Sequence, residues 1–233
     1  MLLAGIDHET TGLLPGARTL EVAVVLWDTI HARPVEMYSS LINGHDYPII
    51  TAEAESVHGI KHELIQKHGK HPHSVFKEVV RLVKCADHLC AHNGHGFDFP
   101  LLKSELHRLG IELPTLNYID TQVDVSYPKG CTSRRLQHLA ADHGVRVRKS
   151  HSALDDVLTM LDVLSFYDIN EVVERSKSPM VKVIAEIPRE KNALVKKRRF
   201  MWDPEKRQWW KSVREFDLQN FLDDCPFKVT IEK

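Results

Sequence analysis

An apolar run that ends in two acidic residues is the feature of this sequence that most constrains its fold. Residues 2–6 (LLAGI) are followed directly by Asp7, His8 and Glu9. Because side chains alternate along a β-strand, a strand here would point Asp7 and Glu9 to the same face. Two neighbouring carboxylates are costly unless a cation neutralises them, and Mg²⁺ and Mn²⁺ prefer such oxygen ligands. The segment therefore predicts a buried first strand that ends in a metal site, with a merely polar strand end as the alternative.

Strand patterns come first along the chain, and helical patterns follow them. Apolar runs at residues 19–27 and 35–42 predict a second and a third strand. Amphipathic or apolar patterns then predict helices at 75–84, 100–109, 133–143 and 153–167, with a short strand at 88–91. This order of elements predicts an α/β (α+β) fold with a sheet flanked by helices.

Charge is unevenly distributed, although 31 basic and 32 acidic residues nearly cancel over the whole chain. Residues 179–233 contain 13 basic and 9 acidic residues, whereas the preceding residues contain 18 and 23. A polar stretch that ends in proline, residues 174–179 (ERSKSP), separates the two parts. We therefore expect two domains, residues 1–175 and a small, basic, Trp-rich α+β domain at residues 179–233.

The cysteines and the N-terminal segment bear on the cellular compartment. The four cysteines contain no CxxC pair, which argues against a zinc ribbon or a disulfide framework. The apolar N-terminal segment meets Asp7 after six residues and is too short for a signal peptide or a membrane span. We expect a soluble, cytoplasmic protein without a membrane partner.

Two further segments contain acidic residues that could lie near Asp7 and Glu9 in the fold. Residues 93–98 (NGHGFD) place Asp98 before a predicted helix, where it could also serve only as a helix cap. Residues 151–156 (HSALDD) place a histidine five residues before Asp156, across the start of another predicted helix. The alternative for this segment is a capping sequence in which the acids favour the helix N-terminus.

Together the three segments resemble the DnaQ-like exonucleases of the DEDDh type. The motifs of that family are an Asp-x-Glu strand, an Asn-containing loop that ends in Phe-Asp, and His-x-Ala-x-x-Asp, and all three occur here in order. Leu20-Glu21-Val22, Val57–Ile60 and Asp120-Thr121 match further family segments. The resemblance covers about residues 1–170. It implies an RNase H-like mixed sheet flanked by helices, with the C-terminal domain as an appendix.

The spacing within the second motif indicates which subgroup of the family this sequence resembles. Three residues separate Asn93 from Phe97 and Asp98, whereas many family members have two, and Phe99–Leu102 follows. This form is similar to the TREX-type DNA 3′-5′ exonucleases. The resemblance implies that the substrate is a single-stranded or frayed DNA 3′ end, as in proofreading, repair or end trimming. The alternatives are an RNA 3′-exonuclease and a catalytically silent protein that binds 3′ ends.

The resemblance also implies the catalytic residues. Four carboxylates would hold the metal: Asp7, Glu9, Asp98 and Asp156. Two Mg²⁺ or Mn²⁺ ions about 4 Å apart would bind there, with Asp7 bridging them. His151 would act as the general base in the release of nucleoside 5′-monophosphates. Asp155 would lie about 100° round the helix from Asp156 and is not expected to be a ligand.

Five more residues would hold the terminal nucleotide, by their positions in the family: Thr10, Leu13, Glu53, His58 and Asn93. Leu13 would wedge against the last base, and Glu53 would bind the 3′ hydroxyl, so that cleavage depends on a free 3′ end. Each residue has a structural alternative, such as Leu13 in the core and Asn93 in a turn.

Basic and aromatic residues lie close together in the predicted second domain. Residues 196–199 (KKRR) are followed by Phe200, Trp202, Trp209 and Trp210. Such a surface could pair phosphates with cations and stack unpaired bases, or the tryptophans could form the core of a small domain. We expect at least two tryptophans in the core and an exposed basic run that binds DNA or a polymerase or repair partner. Related enzymes are often dimers, so a homodimer is a further expectation.

Overall fold

The chain divides into two compact units, Met1–Val173 and Glu174–Lys233. A computed structural model describes residues 1–13, 16–44, 47, 49–128, 130–131, 133–147 and 149–232. Within these ranges, no helix combines the length and the apolar character that crossing a membrane requires.

The first unit contains a five-stranded mixed sheet with the order β3-β2-β1-β4-β5. Its strands are β1 (Leu2–Thr10), β2 (Thr19–Asp28), β3 (Arg33–Leu41), β4 (His88–Ala91) and β5 (Asn117–Asp120). Strand β1 lies at the centre, antiparallel to β2 and parallel to β4. With helices on both sides, this sheet confirms the predicted α/β (α+β) class.

The described residues of this unit form seven complete helices: α1 (Ala52–His58), α2 (His62–His68), α3 (Pro72–Val83), α4 (Asp98–Leu109), α5 (Thr121–Asp124), α6 (Leu136–Asp142) and α7 (Ala153–Leu164). An eighth helix, α8 (Ile169–Lys177), begins in this unit and continues past Val173. Gly59 ends α1 with a left-handed φ of 71°. Residues 174–177 of the polar stretch at 174–179 are helical, because α8 continues to Lys177. The buried side chains of Val172 and Val173 give this otherwise polar helix an apolar side.

Helices cover both faces of the sheet, and the alternation of side chains along β1 separates the two cores. On one face, Ala4 and Ile6 pack with buried residues of α3 and α4. On the other face, Leu3 packs with buried residues of α7. Each face of β1 is therefore covered by different helices.

Gly5 allows α7 to pack tightly against β1. A Cβ atom at this position would lie 2.8 Å from Cγ1 of Val157 and 2.9 Å from Cδ1 of Leu161. The helix therefore packs directly against the strand backbone. Since Asp7 and Glu9 share the face of Gly5, this packing brings the first turn of α7 towards both acids.

A buried ion pair fixes the start of β2 to α4. Arg18 Nε donates to Glu105 Oε1 at 3.1 Å, and the Thr19 backbone N–H donates to the same oxygen at 3.0 Å. Glu105 is fully buried, and Arg18 is 6% exposed. The Arg18 guanidinium also lies 4.4 Å from the ring centroid of Tyr47.

We expect Glu105→Ala to lower the free energy of unfolding by about 3–5 kcal/mol, because it removes one partner of a buried ion pair. Urea denaturation would measure the loss. Glu78→Ala is the matched control, since the Glu78 pair with Arg81 is exposed and should contribute less than about 1 kcal/mol. Equal losses in the two variants would contradict this account of the ion pair.

The second unit contains a four-stranded antiparallel sheet with the order β7-β8-β6-β9. Its elements are β6 (Met180–Ala185), α9 (Asn192–Lys197), β7 (Met201–Asp203), β8 (Gln208–Arg214), α10 (Leu218–Asp223) and β9 (Val229–Ile231). The core consists of Val183, Val195, Phe200 and Val213.

The tryptophans of this unit differ in burial. Among the described residues of the second unit, Trp209 is the one tryptophan that packs against the core of that unit. Trp210 follows it on β8 and therefore points to the other face of the sheet. Trp202 lies on the edge strand β7 and is 45% exposed. The expectation of at least two tryptophans in the core is therefore wrong.

Candidate active site

Three of the predicted residues from distant parts of the chain meet at the end of β1. One ligand atom each of Glu9, His151 and Asp156 lies within 4.8 Å of the other two. The backbone N–H of His151 donates to Asp156 Oδ2 at 2.9 Å, which fixes this loop to the first turn of α7. His151 has a φ of 61°, a left-handed conformation that costs about 1 kcal/mol or more in a residue other than glycine.

Asp7 belongs to the same electrostatic cluster, although its oxygen atoms are not part of that closest group. Burial raises the pKa of Asp7 well above its usual value, and the charges of Asp98, Glu9 and Asp156 raise it further. A carboxyl group in such surroundings favours either a proton or a bound cation.

Glu9 and Asp156 have raised pKa values for the same physical reason. Burial is the largest cause for Glu9, followed by the charges of Asp156 and Glu21, and together they raise its pKa to about 8. The positive charge of Lys149 lowers the pKa of Glu9 and so offsets part of this rise. Burial also raises the pKa of Asp156, against the lowering effect of the His151 backbone N–H. The cluster therefore has an excess of negative charge.

Asp98 lies beside β1 but pairs with His8. The Asp98 side chain is almost fully buried, and its Oδ1 lies 2.9 Å from His8 Nδ1. His8 points to the opposite face of β1 from Asp7 and Glu9. Burial raises the pKa of Asp98, and the hydrogen bond with His8 offsets part of that rise. Asp98 is the first residue of α4, and Phe97 occupies the capping position.

Glu21 is a fifth carboxylate at the site. It lies directly opposite Glu9 in the β1–β2 register. It accepts a hydrogen bond from the Ser39 hydroxyl at 3.1 Å, and the Ala153 backbone N–H donates to it at 3.4 Å. In the sequence, Glu21 stands out only as part of the family segment Leu20-Glu21-Val22. Strand register, which the sequence pattern did not supply, places it beside the acids.

Asp120 holds the loop that precedes Asp98. Its buried carboxylate accepts backbone N–H groups from Asn93 at 2.9 Å, His95 at 3.0 Å and Gln122 at 3.0 Å. Asn93 is exposed and has a φ of 64°, a left-handed conformation that asparagine tolerates better than most residues. Asp120 in the Asp120-Thr121 segment therefore has a structural role, since it holds the backbone of the loop that leads to Asp98.

A pocket of about 500 Å³ opens beside Glu9. Four predicted substrate residues line it: Thr10, Leu13, Glu53 and His58. Asn93 is not among its described lining residues. The side chain of Leu13 is 86% exposed, so its alternative as a core residue is wrong.

Six other residues line this pocket: His8, Gly12, Thr51, Ala54, Val57 and Phe97. Val57 and Phe97 were named above as members of family segments, whereas Thr51 and Ala54 were not assigned to the site. Ala54 and Val57 lie near Glu53 and His58 on α1. Helical spacing places positions three or four apart on one side, so this spacing was a usable signal.

Both ring nitrogens of His58 bind the backbone. Nε2 lies 3.1 Å from the Thr10 carbonyl oxygen, and Nδ1 accepts from the Ile60 backbone N–H at 2.9 Å. This pattern assigns the proton to Nε2, and burial lowers the pKa of His58. His58 therefore joins α1 to the end of β1.

The chain is similar to known exonucleases, both in sequence and in fold. The family model RNase_T, described as Exonuclease, matches residues 4–164, which include all three acidic segments. The 3′-5′ exonuclease DinG of Bacillus subtilis (strain 168) is 30% identical over 182 residues, which are 76% of this chain and 18% of that protein.

Two solved structures resemble the fold. E. coli Exonuclease I in complex with a dT13 oligonucleotide has a TM-score of 0.65 and 15% identity, over 91% of this chain and 51% of that one. The nuclease domain of 3′hExo, a DEDDh family member bound to rAMP, has a TM-score of 0.59 and 15% identity, over 71% of this chain and 90% of that one. These likenesses confirm the RNase H-like fold. The chain spans about half the length of Exonuclease I and less than a fifth of the DinG exonuclease.

Proposed function

We propose, because this chain belongs to the RNase_T exonuclease family of DnaQ-like 3′-5′ exonucleases, that it removes nucleotides from DNA 3′ ends with divalent metal ions. The products would be nucleoside 5′-monophosphates. The observation that carries the proposal is the meeting of Glu9, His151 and Asp156 within 4.8 Å, beside a nucleotide-sized pocket.

The donor set at this site fits Mg²⁺ or Mn²⁺. Its groups are carboxylates, whose hard oxygen atoms these ions prefer. The pKa values of Asp7, Glu9 and Asp156 are raised, so positive charge placed among them would relieve desolvation and mutual repulsion. Asp98 would bind metal through Oδ2, because its Oδ1 pairs with His8 Nδ1. Two ions bound there would supply an activated water and neutralise the developing charge on the phosphate.

His151 has the position of a general base. Its side chain is exposed while its backbone N–H binds Asp156, so the imidazole is held beside the acids and remains open to solvent. A neutral imidazole can accept a proton from water near neutral pH. The Gln137 amide nitrogen lies 3.4 Å from His151 Nε2 and could orient the ring.

The pocket would hold the terminal nucleotide. Exposed Leu13 could pack against the last base, and Glu53 could accept a hydrogen bond from the 3′ hydroxyl. The dT13 oligonucleotide bound to Exonuclease I supports DNA as the substrate class. The rAMP bound to 3′hExo supports the alternative, an RNA 3′-exonuclease. The homodimer and the polymerase or repair partner stay predictions.

Digestion of a 5′-labelled single-stranded DNA oligonucleotide tests this function. We expect a ladder that shortens from the 3′ end with Mg²⁺ and no shortening with EDTA. A matched RNA oligonucleotide should be degraded more slowly, and faster degradation of RNA would favour the alternative substrate. Binding of 3′ ends without cleavage would instead support a catalytically silent protein.

The stability of the metal-free protein should fall as the pH rises from 4.5 to about 8. Within this window Glu9 stays protonated in the folded protein and ionises in the unfolded chain, because folding raises its pKa from 4.5 to about 8. The folded state then holds more protons, so the free energy of unfolding falls with rising pH, by at most about 1.4 kcal/mol per pH unit for this group.

Urea denaturation in EDTA at several pH values would measure this slope. Glu9→Gln should flatten it, and Mg²⁺ at pH 8 should restore stability because it binds the folded, ionised site. A metal-free stability that is constant or rises over this window would contradict the expected slope.

A further inference from the structure

The second unit carries an exposed tryptophan on a rigid support. The ring of Trp202 is 45% exposed, and its centroid lies 5.3 Å from that of its cross-strand partner Trp209. Trp209 packs against the core and donates its Nε1–H to Asn192 Oδ1 at 3.1 Å. The Trp209 ring, which contacts Trp202, is therefore fixed both by strand β8 and by its hydrogen bond to helix α9.

Exposed basic residues lie close to this tryptophan pair in the sequence: Lys191, Lys196, Lys197, Arg199 and Arg207. Lys191 directly precedes Asn192, and Lys196 follows Asn192 by four residues on the same side of α9. Arg207 lies in the turn between β7 and β8, two residues before Trp209. We call Trp202 and these five basic residues the Trp202 patch.

The basic residues of the Trp202 patch are not used in the ion pairs of the fold. None of them has an ion-pair partner among the described side chains of the second unit. Other basic residues of the unit are paired, such as Arg175 with Asp217, Lys182 with Glu232 and Lys228 with Glu186. The patch therefore has several positive charges available to a ligand.

Single-stranded nucleic acid is the ligand class that matches both features. Its unpaired bases stack on exposed aromatic rings, and its phosphates pair with basic side chains. An acidic peptide would pair with the charges but has no base to stack on Trp202. A duplex would meet the same charges, but its bases are already stacked on one another.

We propose that the Trp202 patch binds single-stranded nucleic acid, with a base stacked on Trp202 and the neighbouring phosphates paired with the basic residues. This site belongs to the second unit alone. It does not depend on whether the first unit cuts 3′ ends.

Binding of a fluorescent circular oligo(dT) to the full chain in EDTA tests this proposal. A circle has no 3′ end, so its binding does not report on end recognition in the first unit. We expect Trp202→Ala to weaken binding about 5- to 150-fold, the range for one stacked base, and Trp202→Phe to retain most of the affinity. Thermal melting would establish that both variants are folded.

The charges are tested with the double variant Lys196→Glu and Lys197→Glu. We expect it to weaken binding and to reduce the slope of log affinity against log salt by about 0.7 per lost phosphate contact, the value for single strands. Phe216→Ala and Lys228→Ala are the matched controls in the same unit and should bind as the unchanged chain does. Phe216 is an exposed aromatic residue 5.7 Å from the Arg175 guanidinium, and Lys228 is paired with Glu186.

Four results would overturn the proposal. They are no binding of either a DNA or an RNA circle, equal affinity of folded Trp202→Ala, equal affinity for a duplex circle, and displacement of the circle by polyglutamate in a Trp202-dependent manner. A circular RNA would compare the two sugar types, and binding of either circle through the patch supports the inference. A chain that binds the circle but leaves linear DNA uncut would contradict the proposed exonuclease function and leave this site supported.

Discussion

Asp7→Asn is expected to abolish 3′-5′ cleavage of a DNA oligonucleotide, with kcat lower by about 10³-fold or more. Asp7 shares the end of β1 with Glu9, and the charges of Asp98 and Asp156 also act on its carboxyl group. Asparagine retains the shape of the side chain but removes the charge that a cation would need. Single-turnover digestion with Mg²⁺ would measure the loss.

The same variant should change stability in the opposite direction when metal is absent. Removing a desolvated carboxyl group from a cluster of like charges should raise the melting temperature in EDTA. The further rise on adding Mg²⁺ should shrink, since the site would bind the cation more weakly. This pair of changes distinguishes a lost ligand from a misfolded chain.

Asp155→Asn is the matched control for Asp7→Asn. Asp155 is next to Asp156 on α7, but it is not part of the group that meets Glu9 and His151. We expect the kcat of this variant to stay within about twofold of the unchanged chain, because Asp155 is not expected to bind the metal or the substrate. Cleavage that survives Asp7→Asn, or that is lost equally in Asp155→Asn, would contradict the assignment of the acids.

His151→Asn is expected to lower kcat by about 10²- to 10⁴-fold, the usual contribution of a general base. Asparagine tolerates the left-handed conformation found at His151, and the backbone N–H that binds Asp156 is retained. The variant therefore removes the proton acceptor with little change to the loop. Pre-steady-state digestion would separate this chemical step from product release.

Calorimetric titration with Mn²⁺ would show whether His151 acts as a base or as a ligand. We expect His151→Asn to bind Mn²⁺ with nearly unchanged affinity, because the acids hold the cation. His107→Asn, at an exposed position on α4, is the control and should retain activity. A loss of Mn²⁺ affinity as large as the loss of kcat would show that His151 is a ligand instead.

Local sequence patterns predicted the elements that carry the site. Strand alternation places Asp7 and Glu9 on one face without further information, and the observed β1 has this form. The strand at residues 88–91 is also as expected, because an apolar run acts through nearby residues. The fold class followed from the order of these elements.

Contacts between distant residues could not be predicted in this way. The pair of His8 with Asp98 joins residues 90 apart and depends on how α4 packs against β1. Glu21 reaches the site through strand register, and His58 uses both ring nitrogens on the backbone. Trp202 stays exposed because it lies on an edge strand. These features arise from packing, which residue types along the chain do not specify by themselves.

Anomalous scattering from Mn²⁺, in crystals grown with a nucleoside 5′-monophosphate, tests most directly whether the acids form a metal centre. We expect two Mn²⁺ peaks bound by the carboxylates of Asp7, Glu9, Asp98 and Asp156, with the imidazole of His151 beside them and not bound to either ion. The absence of any Mn²⁺ peak among these carboxylates, with the acids ordered and the nucleotide present in the pocket, would show that they do not form a metal centre.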